Sequence, residues 1–338
     1  MKYGTIAGIG KPVARLVCGT MVITDEEEAR PKGPWGDLNR ELSFALLDAI
    51  AAGGGNTFDT AHVYGIGGAG EKGLGLWMAE RGNRDELVII GKGGVRPSPP
   101  APYKVMPSFI DADLFETLAR LQTGYVDLYM MHYDDPAAPL GPLMETLNAH
   151  LAAGRTRTIG CSNMTHERFE EANEYADKRG LEPLVASEPQ YSLAEQGAIY
   201  IPGSVSISGP AHRNAREWYA GTGMPVIPYS SLGSGFFSGL LRPGTFDEVK
   251  ERMNPTAVRV YACEANFERL ERVATLAERM GASVAQIALA FLLTGPLNVF
   301  ALTGPRSPAE FADNTAALEI TLTPAERAWL DLETDTAP

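Results

Sequence analysis

Short apolar runs alternate with amphipathic stretches along most of the chain. The β-type runs are Arg15–Cys18, Asn56–Asp59, Leu87–Gly91, Val126–Met131, Thr158–Cys161, Leu184–Ala186, Pro225–Tyr229 and Asn298–Leu302. Between them the apolar period lengthens to that of a helix. Arg40–Ala52 carries Leu42, Leu46, Leu47 and Ile50 on one face and stops at a glycine triplet. Ile110–Gln122 repeats Leu114, Leu118 and Leu121, and Leu143–Ala153, His166–Arg179 and Val284–Leu293 each end at or near a glycine. Asn214–Ala220 is a weaker helix before the seventh strand.

Strand–helix alternation predicts parallel strands joined by crossovers. Eight repeats, spaced roughly 30–40 residues apart, suit a closed α/β (β/α)8 TIM barrel better than an open sheet. Lys2–Val17 reads as an N-terminal β-hairpin turning at Gly8–Gly10 and closing the barrel bottom. Two extra helices, Val258–Met280 and Ala325–Leu330, fall outside the eightfold count. Two long loops, Ser192–Arg213 and Leu232–Thr256, have the length of functional covers. No linker interrupts the pattern, so residues 1–338 are expected to form a single domain.

Composition narrows the function classes. With 44% hydrophobic and 21% charged residues the chain can bury a large core. A net charge of −13 disfavours nucleic acid and obliges any anionic cofactor to find local cations or backbone N–H groups. The three cysteines, Cys18, Cys161 and Cys263, are too sparse for a disulfide framework and suit a reducing compartment. Lys11 and Arg15 interrupt the only apolar stretch at the N-terminus, and no run has the length of a membrane span. The expectation is a cytoplasmic protein with no membrane partner. The five histidines show no ligand spacing, so no metal is expected.

The candidate chemistry lies where strands end, the usual place for it in a barrel of this type. Strand two gives Asp59, with Tyr64 five residues on; strand three gives Lys92, strand four His132 and strand five Ser162-Asn163. Strand six gives Glu188 and Gln190, strand seven Tyr229-Ser230, and strand eight Gly304 with Arg306. Each alone has an ordinary reading: a strand-end lysine is commonly a solvated charge, a lone histidine a core residue. The apolar run into Lys92 changes that, because a buried ammonium requires a partner, and Asp59 supplies one. An ammonium beside Tyr64 would stabilise its phenolate and make the phenol a better acid. A neutral His132 could then orient a carbonyl oxygen while Tyr64 protonates it.

At these residues the sequence resembles the aldo-keto reductase family. Asn56-Thr57-Phe58-Asp59-Thr60-Ala61-His62-Val63-Tyr64-Gly65 resembles the family's catalytic stretch, followed by Glu71 and Leu74-Gly75. Ile90-Gly91-Lys92, Asp127–His132, Ile159–Asn163 and Tyr229–Gly233 match further blocks in family order, and Gly304–Asn314 resembles the closing cofactor motif. The resemblance implies a (β/α)8 barrel, a catalytic tetrad of Asp59, Tyr64, Lys92 and His132, and hydride transfer between a nicotinamide cofactor and a carbonyl. It implies that Ser162 and Asn163 hold the carboxamide, that Tyr229 stacks on the nicotinamide, and that Ser230, Ser231, Leu232, Gly233 and Ser234 follow the pyrophosphate. Gly19, Thr20, Met21 and Asp59 join the cofactor site, and Gly304, Arg306, Glu310, Asp313 and Asn314 surround the adenosine end. Trp35, Tyr64, His132 and Tyr133 are the expected substrate pocket.

Two departures stand out. Glu188 occupies the place of a family glutamine three residues before Tyr191, so either Glu188 or Gln190 could accept from the carboxamide. Glu310 would repel an adenosine 2′-phosphate and Arg306 would attract it, which makes NADP(H) the preferred cofactor and NAD(H) the alternative. The first expectation is NAD(P)H-dependent reduction of an aldehyde or ketone. The alternatives are a sugar or polyol dehydrogenase on the same site and a non-catalytic cofactor-sensing subunit. The partner in the enzymatic readings is a small carbonyl or sugar-like molecule, and oligomeric state is not encoded legibly. Gly68–Gly73 satisfies G-x-G-x-x-G but is separated from its strand, and reads as loop and helix start.

Overall fold

The computed structural model describes residues 1–28, 38–99 and 101–338, which leaves Trp35 outside the described residues. They pack as two compact units: Met1–Glu188 with Gly304–Pro308, and Pro189–Thr303 with Ala309–Pro338.

The first unit opens with the expected hairpin, β1 (Tyr3–Gly4) antiparallel to β2 (Val13–Ala14). The chain then runs β3 (Leu16–Gly19), α1 (Arg40–Ala52), β4 (Thr57–Asp59), α2 (Ala69–Arg81) and β5 (Val88–Gly93). A hairpin of β6 (Val95–Ser98) and β7 (Ala101–Val105) leads into α3 (Pro107–Arg120). After it come β8 (Val126–Met131), α4 (Leu140–Ala152), β9 (Thr156–Ser162), α5 (His166–Arg179) and β10 (Ser187–Glu188). β3, β4, β5, β8, β9 and β10 lie side by side in that order, every neighbouring pair parallel.

The physics of this sheet explains the sequence pattern. Every residue of β5 and β8 is buried, so apart from Lys92 and Asp127 these strands read as apolar runs and do not alternate. The helices bury one stripe each: Phe44, Leu46, Leu47 and Ile50 on α1, Ile110 and Leu114 on α3, Leu143 and Leu147 on α4. Each such side chain contributes about 1.5–3 kcal/mol on leaving water. Leu42, expected on the buried face of α1, is 52% exposed. α3 begins three residues earlier than its periodicity indicated, because Pro107 at its start has its φ already set for a helix.

The β6–β7 hairpin is an element that periodicity did not reveal, since its prolines and charges look like loop. A bidentate pair pins it to α3: Arg96 donates to Asp113 Oδ1 at 2.6 Å and Oδ2 at 2.8 Å, and Gly94 N–H also meets Oδ2 at 2.8 Å.

The second unit holds α6 (Arg213–Thr222), α7 (Phe246–Val249), α8 (Glu264–Met280), α9 (Val284–Leu293), β11 (Ala301–Thr303), α10 (Pro308–Ala316, all but its first residue) and α11 (Pro324–Leu330). The expected seventh strand is a set of parallel bridges, Gln190 to Tyr229 and Val226 to Val299. The helix expected over Val258–Met280 is broken into a π turn, Ala257–Tyr261, and α8, with Cys263 extended between them. At the break Tyr261 O accepts from the Asn266 amide at 2.8 Å and from Cys263 N–H at 2.9 Å, so a carbonyl left over by the π turn is satisfied. No single helix among the described residues is long and apolar enough to cross a membrane.

Candidate active site

The strand register of the first unit brings the candidate residues to one end. Asp59 is opposite Gly19 on one side and Ile90 on the other. Lys92 lies two residues beyond Ile90 and therefore shares its face. Lys92 is in turn opposite Met130, two residues before His132, and Ser162 is opposite Glu188. Pairing continues past the strand ends: His62 N–H donates to Lys92 O at 2.8 Å, His132 N–H to Gly93 O at 3.0 Å, and Asn163 N–H to Glu188 O at 3.2 Å. Gly93 lets α3 close on β5 here, because a Cβ at this position would lie 2.6 Å from Asp113 Cβ and Tyr129 Oη.

At this end lies a sealed ionic cluster. Lys92 Nζ contacts Asp59 Oδ1 and stands 3.2 Å from Glu188 Oε1. Lys92 and Asp59 are 0% exposed and Glu188 is 2% exposed, so solvent does not screen them. Burial works against the Lys92 charge, but Asp59 and Glu188 outweigh it and hold the ammonium above its ordinary range. Tyr64, on the loop after β4, donates from Oη to Asp59 Oδ2 at 3.5 Å. Its ring centroid is 5.2 Å from Lys92 Nζ.

His132 completes the group. Its ring meets the Tyr64 ring edge to face, with centroids 5.9 Å apart. Burial, and then the Lys92 charge, press its pKa down to about 3, so the imidazole is neutral. Among the described residues its buried Nδ1 has no hydrogen-bond partner. Tyr133 stacks on His132 at 5.3 Å, and Tyr103 from β7 stacks on Tyr133 at 4.0 Å. The expected pocket residues Tyr64, His132 and Tyr133 thus come together, with Tyr103 extending the aromatic wall.

Sequence reading did not single out the support beneath the Tyr64 loop. Arg120 on α3 donates to His62 O and to Glu71 Oε2, both at 2.9 Å, and Thr117 Oγ1 donates to Glu71 Oε1 at 2.6 Å. His62 Nε2 lies 2.8 Å from Glu116 Oε2. The one local signal was Glu71, an acid among small residues of α2 that is wholly buried.

The aldo/keto reductase family model matches residues 15–331. The chain belongs to the aldo/keto reductase family. Among its relatives, an uncharacterised oxidoreductase YrpG of Bacillus subtilis is 29% identical over 95% of this chain and 92% of its own length. An aryl-alcohol dehydrogenase (NADP(+)) of Phanerodontia chrysosporium is 27% identical over 98% of this chain and 84% of its own. The norsolorinic acid reductase stcV of Emericella nidulans is 28% identical over 87% and 73% respectively. The aldo/keto reductase chain described here is an oxidoreductase of the α/β (β/α)8-barrel class, in accord with its strand–helix alternation.

In this aldo/keto reductase the remaining residues expected at a cofactor fall into distinct settings, each within its own unit. Thr20 donates to Asp59 O through N–H at 2.9 Å and Oγ1 at 3.0 Å, with Gly19 and Met21 on either side. Ser162 Oγ donates to Glu188 O at 2.8 Å, and Asn163 Nδ2 donates to His132 O at 3.1 Å. The amide of Gln190 is engaged inside the second unit: Oε1 accepts from Ser206 at 2.6 Å and Ser208 at 3.2 Å, and Nε2 donates to Ser192 at 3.1 Å. Of the two residues expected to meet a carboxamide, Glu188 faces the cluster and Gln190 ties down its own loop.

The loop after Tyr229 fits a phosphate on structural grounds. Ser230, Gly233, Ser234 and Gly235 all have positive φ, and among the described residues no acceptor meets the backbone N–H of Ser231, Leu232 or Ser234. Successive unpaired amides in such a turn form an anion cradle. Gly304, Arg306 and Glu310 are exposed and Asn314 is buried. Asp313 accepts from Ser283 Oγ at 3.0 Å and Gln286 Nε2 at 2.6 Å, serving the start of α9. Among the described residues no group of three or more His, Cys, Asp or Glu could hold a metal ion.

Proposed function

We propose that this chain reduces an aldehyde or ketone to the alcohol with NAD(P)H, using Tyr64 as general acid. One observation carries the reading: the Tyr64 hydroxyl reaches the Asp59 carboxylate that also grips the buried Lys92 ammonium. The nicotinamide, when bound, supplies a hydride to the carbonyl carbon. Tyr64 gives its proton to the oxygen as negative charge develops there, and Lys92 stabilises the phenolate left behind. Asp59 keeps Lys92 charged and in place. Neutral His132 orients the carbonyl oxygen without competing for the proton.

Ser162, Asn163 and Glu188 would hold the carboxamide, and the Ser231, Leu232 and Ser234 amides would hold a phosphate. Arg306 and the NADP(+) in one relative's name support NADP(H) as the preferred cofactor, with NAD(H) accepted less well. The wall of His132, Tyr133 and Tyr103 suits a planar aromatic carbonyl, in keeping with the aryl-alcohol and norsolorinic acid named for relatives. The proposal includes a cytoplasmic setting and a small-molecule partner only.

The test is cofactor consumption with NADPH and NADH across aromatic aldehydes, keto-sugars and α-keto compounds, and the reverse reaction with aryl alcohols. Turnover is expected first with NADPH and an aromatic aldehyde. Tight binding of NADPH with no turnover of any carbonyl or alcohol would overturn the reading in favour of a sensing subunit.

A further inference from the structure

The cluster at the strand ends holds one carboxyl more than its charge requires. Among the described residues Lys92 from β5 is the only cation paired with it, while Asp59 from β4 and Glu188 from β10 both face that single ammonium. Among the described residues the Tyr64 hydroxyl and the neutral His132 imidazole also face it, and the Cys161 thiol of β9, which burial pushes well up, adds no charge. With both carboxyls ionised, a net negative charge would be sealed from water, an arrangement that burial strongly disfavours. Moreover, the Asp59 and Glu188 carboxyls meet on the same ammonium. Two ionised carboxylates crowded on one buried cation repel each other, which favours a proton on one of them.

We infer that Glu188 is a positioning residue held as the neutral acid, donating its proton to the Asp59 carboxylate so that one negative charge, and not two, balances Lys92. The direct contact with Lys92 marks Asp59 as the ionised member. Burial first, and then the Asp59 charge, push Glu188 up to about 8, so the proton stays through neutral pH and leaves to solvent in mild alkali. Its loss has a chemical consequence, which rests on the carbonyl-reduction reading. A second carboxylate facing Lys92 offsets the positive field that makes Tyr64 a usable acid. The backbone of Glu188 meanwhile holds Ser162 and Asn163 through its carbonyl, so one residue joins that pair to the lysine.

The full-length protein labelled with 13C at glutamate Cδ gives a readout that needs no turnover. A resonance lost in Glu188→Gln is expected to titrate with a midpoint of about 8. Glu188→Asp, which also removes the labelled carbon, secures the assignment should the glutamine variant not fold. A midpoint below 6 would overturn the inference. Kinetics test the positioning role separately: one pH unit above the midpoint only about a tenth of the acid form remains. The ratio of kcat/KM at pH 9 to that at pH 7 should therefore rise roughly tenfold in Glu188→Gln relative to wild type. An unchanged ratio would overturn the role. A wild-type protein without turnover would remove the reductase reading, and the titration would still decide where the proton resides.

Discussion

The Tyr64 ring meets the His132 imidazole at 78°, with centroids 5.9 Å apart. Both residues keep part of their surface open, whereas Lys92, Asp59 and Glu188 behind them are sealed. On the proposed function this separates two tasks: the phenol and the neutral imidazole would meet the substrate, and the charges that tune them would act from beneath, where low dielectric strengthens their effect. A substrate oxygen placed between phenol and imidazole would meet hydrogen-bonding groups and no full charge to desolvate.

Replacing Tyr64 by Phe removes the proposed acid and leaves the ring packing. kcat on the best aromatic aldehyde should fall about 10²–10⁴-fold, the usual worth of general acid catalysis. Cofactor affinity, measured by fluorescence titration, should change little. A variant with wild-type kcat would exclude Tyr64 as the proton donor.

Lys92→Met strands two carboxyls that share one cation in a sealed space. Breaking a buried pair by removing one partner costs about 3–5 kcal/mol, which urea denaturation at pH 7 would show. Asp59→Asn added to the same protein should recover part of that loss, because the stranded charge is gone. A single variant within about 0.5 kcal/mol of wild type would mean the cluster is not held as described.

Much of this was legible in the sequence because burial and chemistry disagree there. The run into Lys92 is apolar on both sides, and an ammonium at its end demands a partner, so the Asp59–Lys92 pair could be inferred before any coordinates. The ends of α1 and α5 were equally clear from the glycines that stop them, Gly53 and Gly180. What stayed hidden depends on tertiary contact. The hairpin carrying Tyr103 is held by Arg96 to Asp113 across seventeen residues, and nothing local encodes that pair. The break before α8 is marked by Asn266, an ordinary helix residue in the sequence whose amide meets Tyr261 O in the fold. Glu188 was visible as a departure, but only the register opposite Ser162 aims it at Lys92.

Gln190→Ala tests how the Ser192–Arg213 loop is anchored. The amide collects Ser206, Ser208 and Gln196 on its oxygen and Ser192 on its nitrogen, all within 3.2 Å. Removing it deletes these bonds, each worth about 0.5–1.5 kcal/mol net, while Ser192 and Ser208 keep theirs to Ala194 O and Ser192 O. The expected result is faster amide hydrogen exchange at Ile207, whose N–H is bonded to Gln190 O, with exchange in α1 unaltered. Equal protection of Ile207 in both proteins would show that the loop is held elsewhere.

His132 provides a pH test whose sign is fixed. Its folded pKa, about 3, lies below the ordinary 6.5, so between those values the unfolded chain binds a proton that the native state refuses. Stability from this group is complete above pH 6.5 and is lost as pH falls toward 3. From pH 6.5 to 5 the loss is at most about 2 kcal/mol, at 1.36 kcal/mol per unit. His132→Gln cannot take up the proton, so its urea midpoint should fall less over that interval than the wild-type midpoint. The same shift keeps the imidazole neutral wherever the enzyme is assayed, so no acid limb in kcat/KM between pH 5 and 8 should trace to it. A His132 ring resonance titrating near 6 would contradict both expectations, and would make the residue beside Tyr64 a cation that competes to give up the proton.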